Sequence, residues 1–74
     1  MKLVYKMEDL ECAHCAAKME KGILKLAGVG SVSISFLSQK MKLEVDEGVD
    51  LASLQAEIAA IVKKIEPDCK VLFG

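Results

Sequence analysis

The sequence of 74 residues has no tryptophan, one proline and only three aromatic side chains. Its core must therefore be built from Val, Ile, Leu, Met and Ala, and the length allows one small domain. No apolar run approaches the roughly 18–20 residues that a membrane-spanning helix needs, and no secretory leader pattern is visible. These absences predict a single soluble domain over residues 1–74 that does not insert into a membrane.

Arginine is also absent, and ten lysines stand against eleven Asp and Glu, for a net charge of −1. The lysines are scattered rather than massed, which argues against nucleic acid as a partner. The three cysteines are an odd number and too few for a disulfide scaffold of this size. We therefore expect free thiols in a reducing, cytoplasmic compartment.

The first half of the chain predicts a strand, a helix and a second strand. Apolar residues first alternate with polar ones, then recur at steps of three and four, and then alternate again. The helical run ends at Gly28, a residue typical of helix C-termini. The three runs are Leu3–Leu10, Ala16–Ala27 and Val32–Phe36.

The second half repeats the same order. A polar turn at 38–40 leads into a third alternating run at Met41–Val45. Asp50 is a favoured N-cap residue before an apolar helical stripe from Leu51 to Ile65, and Pro67 stops that helix. Cys69, Val71 and Phe73 then form a short last strand.

Two split βαβ units in succession predict an α+β, ferredoxin-like βαββαβ sandwich. Its four-stranded antiparallel sheet would carry two helices on one face, because the two halves can bury their apolar stripes only against each other. No metal or other ligand is needed to complete that core. The domain is therefore expected to fold in the apo state, unlike zinc fingers.

The segment Cys12-Ala13-His14-Cys15 lies where the first strand gives way to the first helix. Two thiols three positions apart can bind one soft metal ion, or they can form a redox-active disulfide. Thiolate is the form that does both, and helix N–H groups favour negative charge at this position. Together with Lys18, one turn further on, the helix is expected to lower the pKa of both thiols.

The stretch from Tyr5 to Glu20, which contains this motif, resembles the signature of heavy-metal-associated domains, approximately Gly-Met-x-Cys-x-x-Cys. The step Leu26-Ala27-Gly28-Val29 is similar to the family's Gly-Val entry into its second strand. The resemblance covers essentially the whole chain and implies a ferredoxin-like fold with Cys12 and Cys15 as metal ligands. Family members are free metallochaperones or cytosolic N-terminal domains of soft-metal P-type ATPases.

Three departures from the family pattern bear on the metal. Asp9 replaces the usual Gly, Leu10 replaces the Met common in copper-handling members, and Glu11 stands where copper members carry Thr and zinc, cadmium or lead members often carry Asp. The stretch 61–68 also looks like the end of the domain in zinc/cadmium ATPases. The resemblance therefore implies a domain of a Zn(II)/Cd(II)/Pb(II)-transporting ATPase, with Cu(I) as a further cargo. A free-standing copper or mercury chaperone is the alternative.

Beyond the thiols, Glu11 and Glu66 are the candidate oxygen ligands, because Zn(II) and Cd(II) accept carboxylates as third and fourth ligands. The alternative for both is a solvated surface charge, on an exposed loop for Glu11 and at a helix end for Glu66. Asp68 lies in the same loop as Glu66. His14 is expected to face solvent, and Cys69 to lie in the core. No catalytic set of side chains can be assembled. The expected partners are the membrane part of a parent ATPase or a metal donor or acceptor protein, with the domain itself a monomer or a metal-bridged dimer.

Overall fold

A computed structural model describes residues 1–73, and its elements follow the predicted order. The sheet order is β2-β3-β1-β4, and every neighbouring pair is antiparallel. This is the ferredoxin-like sandwich expected from the repeated pattern. The elements are β1 (Lys2–Glu8), α1 (Ala13–Leu24), β2 (Val29–Ser35), β3 (Lys40–Val45), α2 (Leu51–Ile65) and β4 (Lys70–Leu72).

Several predicted boundaries are wrong, among them the end of β1, which lies at Glu8 rather than Leu10, and the start of β2, which lies at Val29 rather than Val32. The helix α1 begins at Ala13 rather than Ala16, because Cys12 caps it, and it ends at Leu24. The strand β2 ends at Ser35, so that Phe36 starts the turn to β3 and is 37% exposed instead of lying inward. The register of β2 and β3 explains why Phe36 lies in the turn. Ser35 pairs directly with Lys40, so the four residues between them must reverse the chain.

Both helices pack on one face of the sheet and enclose the core. The three predicted core methionines are almost fully buried, with Met19 and Met41 at 0% exposure and Met7 at 3%. The face of the sheet away from the helices carries mainly polar residues, with Val4 and Leu72 as exposed apolar exceptions. The other buried apolar residues of this cluster are Tyr5, Leu10, Ala16, Ile23, Ile34, Leu43, Val45, Leu54, Ile58, Val62 and Cys69.

The boundaries of α2 agree with the sequence prediction. The Asp50 carboxylate accepts N–H groups of Ala52 and Ser53, as an N-cap residue should. At the other end, Glu66 leaves the helical conformation and its N–H donates to Val62 O at 2.8 Å, one residue before Pro67. No helix in the described part of the chain is long and apolar enough to cross a membrane.

Three connections lie at one end of the sheet. The strand β1 ends there and leads into the Cys12 loop, and β3 begins there, since Lys6 pairs with Lys40. Met7 N–H donates to Gln39 O at 2.8 Å, which places the β2–β3 turn beside the end of β1. The α2–β4 connection reaches the same end, because Glu8 pairs with Lys70.

Gly28, between α1 and β2, has a φ of +87°, a conformation that L-residues rarely adopt. A Cβ at this position would lie 2.8 Å from Val49 Cγ2, closer than van der Waals contact allows. The glycine therefore permits both the left-handed turn and the approach of the β3–α2 connection.

We expect Gly28→Ala to lower the free energy of unfolding by about 2 kcal/mol, because strain and overpacking add. Gly48→Ala is the matched control, since nothing lies within 4 Å of its Cβ position. That control should change stability by less than about 0.5 kcal/mol. Urea denaturation of the reduced, metal-free variants measures both values, and equal midpoints for the two variants would contradict the role assigned to Gly28.

Candidate metal centre

Cys12 is the N-cap residue of α1. Its backbone is extended, with φ −134° and ψ 118°, and its sulfur accepts the N–H of Cys15 at 3.4 Å. This is the position and bond that Ser, Asp or Asn usually provides at a helix start. The spacing of the motif thus has a local cause, because the residue three positions after an N-cap is the one whose N–H the cap side chain reaches.

The helix start favours the thiolate form of Cys12. The hydrogen bond from the Cys15 N–H is the largest influence that lowers the Cys12 pKa, followed by the Cys15 thiol. The N–H donates to the sulfur at 3.4 Å and so stabilises its negative charge. The predicted acidification is therefore confirmed for Cys12. Its cause is local hydrogen bonding rather than the field of Lys18.

The same prediction is wrong for Cys15. The nearby carboxylate of Glu66 is the largest influence on the Cys15 thiol and raises its pKa to about 12, with the neighbouring Cys12 thiol adding to the effect. A thiolate at Cys15 would face two negative neighbours, the Glu66 carboxylate and the Cys12 thiolate. The two thiols are consequently unequal, with Cys12 the acidic one and Cys15 the protonated one.

Glu66 reaches the thiol pair from the second half of the chain, at the C-cap of α2. Cys12 and Cys15 are both free cysteines and both are half-buried. Glu11 precedes Cys12 on the same loop and is exposed. Within residues 1–73, no three His, Cys, Asp or Glu side chains converge into a preformed metal site. The arrangement is a thiol pair with one carboxylate on its Cys15 side.

The other residues considered as metal ligands are either exposed or buried in the core. His14 is exposed on the first turn of α1, as predicted, and Asp68 is exposed in the α2–β4 connection. Cys69 is 5% exposed and belongs to the core, also as predicted, and burial raises the pKa of its thiol. Leu10, two residues before Cys12, is 2% exposed and anchors the loop in the core.

Gln39, in the β2–β3 turn, supports the metal-binding end of the sheet, and nothing in the sequence predicts this role. Gln39 hydrogen-bonds the backbone of Leu10 through its side-chain amide, and so joins the β2–β3 turn to the loop that carries Cys12. A glutamine in a polar turn resembles any solvent-exposed residue, and only the tertiary structure shows this contact.

The sequence matches the family described as heavy-metal-associated domain over residues 4–70. It is 30% identical over 60 residues to a zinc/cadmium/lead-transporting P-type ATPase of Shigella sonnei, a match that covers 81% of this chain and 8% of the ATPase. The chain thus spans less than a tenth of that transporter. It is also 26% identical to the copper chaperone CopZ of Enterococcus hirae, over 97% of this chain and all of CopZ.

Among solved structures, a CopZ metallochaperone superposes with a TM-score of 0.75 at 15% identity. The superposition covers 97% of this chain and all of that one. At this level of identity the likeness concerns the fold, and it confirms the ferredoxin-like architecture.

The unequal thiols predict an order of alkylation. At pH 7.5, iodoacetamide should modify Cys12 first and Cys15 more slowly, while buried Cys69 stays protected. The Cys12 rate should level off at a lower pH than that of an ordinary cysteine, because its pKa is lowered, whereas the Cys15 rate should still be rising at pH 9. Tandem mass spectrometry of the peptide containing both cysteines measures the two rates.

Glu66→Gln should speed the alkylation of Cys15, since it removes the negative charge that opposes the second thiolate. Glu57→Gln, on the exposed face of α2, is the matched control and should change neither rate. Equal rates at Cys12 and Cys15 in the unmodified chain would contradict the asymmetry.

Proposed function

We propose that this chain, which belongs to the heavy-metal-associated domain family, binds one soft metal ion through Cys12 and Cys15 and passes it on by ligand exchange. The observation that carries the proposal is the thiol pair at the start of α1, half-buried and joined by a hydrogen bond within one helical turn. Two sulfur ligands held at this spacing can chelate one ion without rearrangement of the core.

The charge around the thiols favours a divalent ion as cargo. When both sulfurs bind metal as thiolates, Glu66 adds a third negative charge beside Cys15, and Glu11 is next to Cys12 in the chain. A dication offsets this charge better than a monocation does. Zn(II) and Cd(II) also take carboxylate oxygen as a third or fourth ligand, whereas two thiolates alone satisfy Cu(I). We therefore assign Zn(II), Cd(II) or Pb(II) as the preferred cargo.

The half-buried position of the thiols supports transfer rather than storage. An incoming thiolate of a partner can attack the metal before the first ligands leave, provided that the site is open on one side. A site with four protein thiolates inside the core would block that attack. Cys69, the third thiol, is buried in the core and leaves the pair open.

We propose that the domain serves a metal-transporting P-type ATPase in the cytoplasm. The similarity to the zinc/cadmium/lead-transporting ATPase supports this assignment. The partner is then the membrane part of the transporter or a metal donor protein, and the chain acts as a monomer that pairs briefly through the metal. ATP hydrolysis would belong to the rest of such a transporter, since these residues provide metal ligands and no catalytic set.

A free-standing copper chaperone is the second candidate. One observation favours it, namely that the match to CopZ covers the whole of that protein as well as nearly all of this chain. The two candidates differ in the cargo they require, so relative affinity for Cu(I) and for divalent ions distinguishes them.

Replacement of both metal-binding cysteines tests the binding site. Cys12→Ser/Cys15→Ser should weaken Cd(II) binding by more than about 100-fold, beyond the effect of losing a residue that only supports a ligand, because the remaining thiol, Cys69, is buried in the core. The fold should survive, since neither thiol belongs to the fully buried core. Ultraviolet thiolate-to-metal absorption and competitive titration of the reduced protein measure binding, and circular dichroism measures folding.

Cys69→Ala is the matched control for that experiment. It should retain one equivalent of Cd(II) with unchanged thiolate absorption, because Cys69 packs as a small apolar side chain. Unchanged Cd(II) affinity in the double serine variant would contradict the assignment of Cys12 and Cys15.

Removal of the carboxylates tests the preference for divalent ions. Glu11→Thr and Glu66→Gln should each lower the affinity for Zn(II) and Cd(II) about 10-fold, which is the usual effect of losing a residue that supports a metal site. The affinity for Cu(I) should stay nearly constant. Glu47→Gln, on an exposed loop at the opposite end of the sheet, is the charge-matched control and should have no effect. Equal losses for all three metals would contradict the role of these carboxylates in selectivity.

A further inference from the structure

The residues 1–73 contain two non-glycine residues with left-handed backbone conformation, Asp9 with φ +60° and Gln39 with φ +55°. The two residues lie side by side, because Gln39 hydrogen-bonds the residues on both sides of the Asp9 turn. Asp9 forms the turn between β1 and the Cys12 loop, and Gln39 ends the β2–β3 turn beside it. Such conformations persist where the surrounding structure holds them firmly, and they are found often at functional sites.

Gln39 holds the Asp9 turn from both sides. Its backbone C=O accepts the N–H of Met7 at 2.8 Å, before the turn. Its side-chain Oε1 accepts the N–H of Leu10 at 2.9 Å, and its Nε2 donates to the C=O of Leu10 at 2.5 Å, after the turn. The side-chain amide thus pairs with Leu10 as the backbone of a neighbouring strand residue would.

The same amide is fixed to its own turn. Nε2 also donates to the C=O of Phe36 at 2.8 Å, so the side chain cannot swing away without losing three hydrogen bonds. Leu10 is held a second time by its side chain, which is 2% exposed in the core. The chain therefore enters the metal-binding loop from a point that is fixed on two sides, and Cys12 follows two residues later.

We propose that Gln39 is a positioning residue for the metal-binding loop, which keeps Cys12 in the place where its sulfur and that of Cys15 share one ion. Cys15 is fixed by α1, whereas Cys12 precedes the helix and depends on the segment before it for its position. If that segment is released, the Cys12 sulfur can leave the metal more often, and an attacking ligand then completes the exchange sooner. Gln39 thereby slows the release of the ion.

This role rests on the proposed function, since it concerns the release of a metal bound by Cys12 and Cys15. A purely structural role in the β2–β3 turn is the competing explanation, because the contact with Phe36 lies within that turn. The two explanations differ in whether the rate of metal release changes when the turn remains folded.

Gln39→Gly is the informative variant, because glycine tolerates the positive φ and removes only the side-chain hydrogen bonds. We expect amide hydrogen exchange at Leu10 in the apo protein to become faster by about 10-fold, and Cd(II) release to excess EDTA in stopped flow to become about 10-fold faster. Gln39→Ala removes the same bonds but keeps the backbone strain, so it should release Cd(II) as fast and be less stable than the glycine variant.

Two controls separate positioning from general destabilisation. Ser38→Ala alters the same turn without touching the loop and should leave both rates unchanged. Gly28→Ala destabilises the domain from the opposite end of the sheet and should also leave Cd(II) release unchanged.

Normal Cd(II) release from Gln39→Gly, with normal binding by the unmodified chain, would overturn this role alone. Failure of the unmodified chain to bind Cd(II) would overturn the proposed function and this role with it.

Discussion

Helix α1 begins with N–H groups that have no acceptor inside the helix, and the sulfur of Cys12 accepts one of them, from Cys15 at 3.4 Å. This bond starts the helix three residues earlier than the apolar stripe indicates. It also places the two sulfurs of the motif on one turn and stabilises negative charge on the first of them. A single capping interaction therefore determines helix position, ligand spacing and the acidity of Cys12.

The two halves of the chain repeat one pattern, yet only the first half carries the thiol pair. The second half contributes Glu66, which ends α2 and raises the pKa of the Cys15 thiol. Because each half crosses over to the same sheet, the connections of both arrive at one end of it. The repeat thus brings a carboxylate to the thiols and makes the two cysteines unequal, which a symmetric pair on an isolated loop would not be.

Ligand exchange needs a site that is open to a partner, while chelation needs sulfurs that stay in place. Under the proposed function, both needs are met because the segment before Cys12 is held in place while the thiols stay half-buried. Leu10 lies in the core and so anchors the loop that carries Cys12. Gln39 holds the backbone of the same residue, and Asp9 accepts a left-handed conformation that glycine would adopt at lower cost.

The sequence by itself determined the fold and the thiol pair. Alternation in the strands and the apolar stripe of α2 fixed the element order, and the N-cap preference of Asp50 and the stop at Pro67 located α2 closely, because all these signals act within a few residues. Cys12 and Cys15 were identified for the same reason. Only the tertiary structure decided that Glu66 raises the pKa of Cys15 and that Gln39 holds Leu10, since these partners lie about 50 and 29 positions apart in the chain. Contacts at such separations arise from the packing of both halves on one sheet, and local sequence patterns carry no record of them.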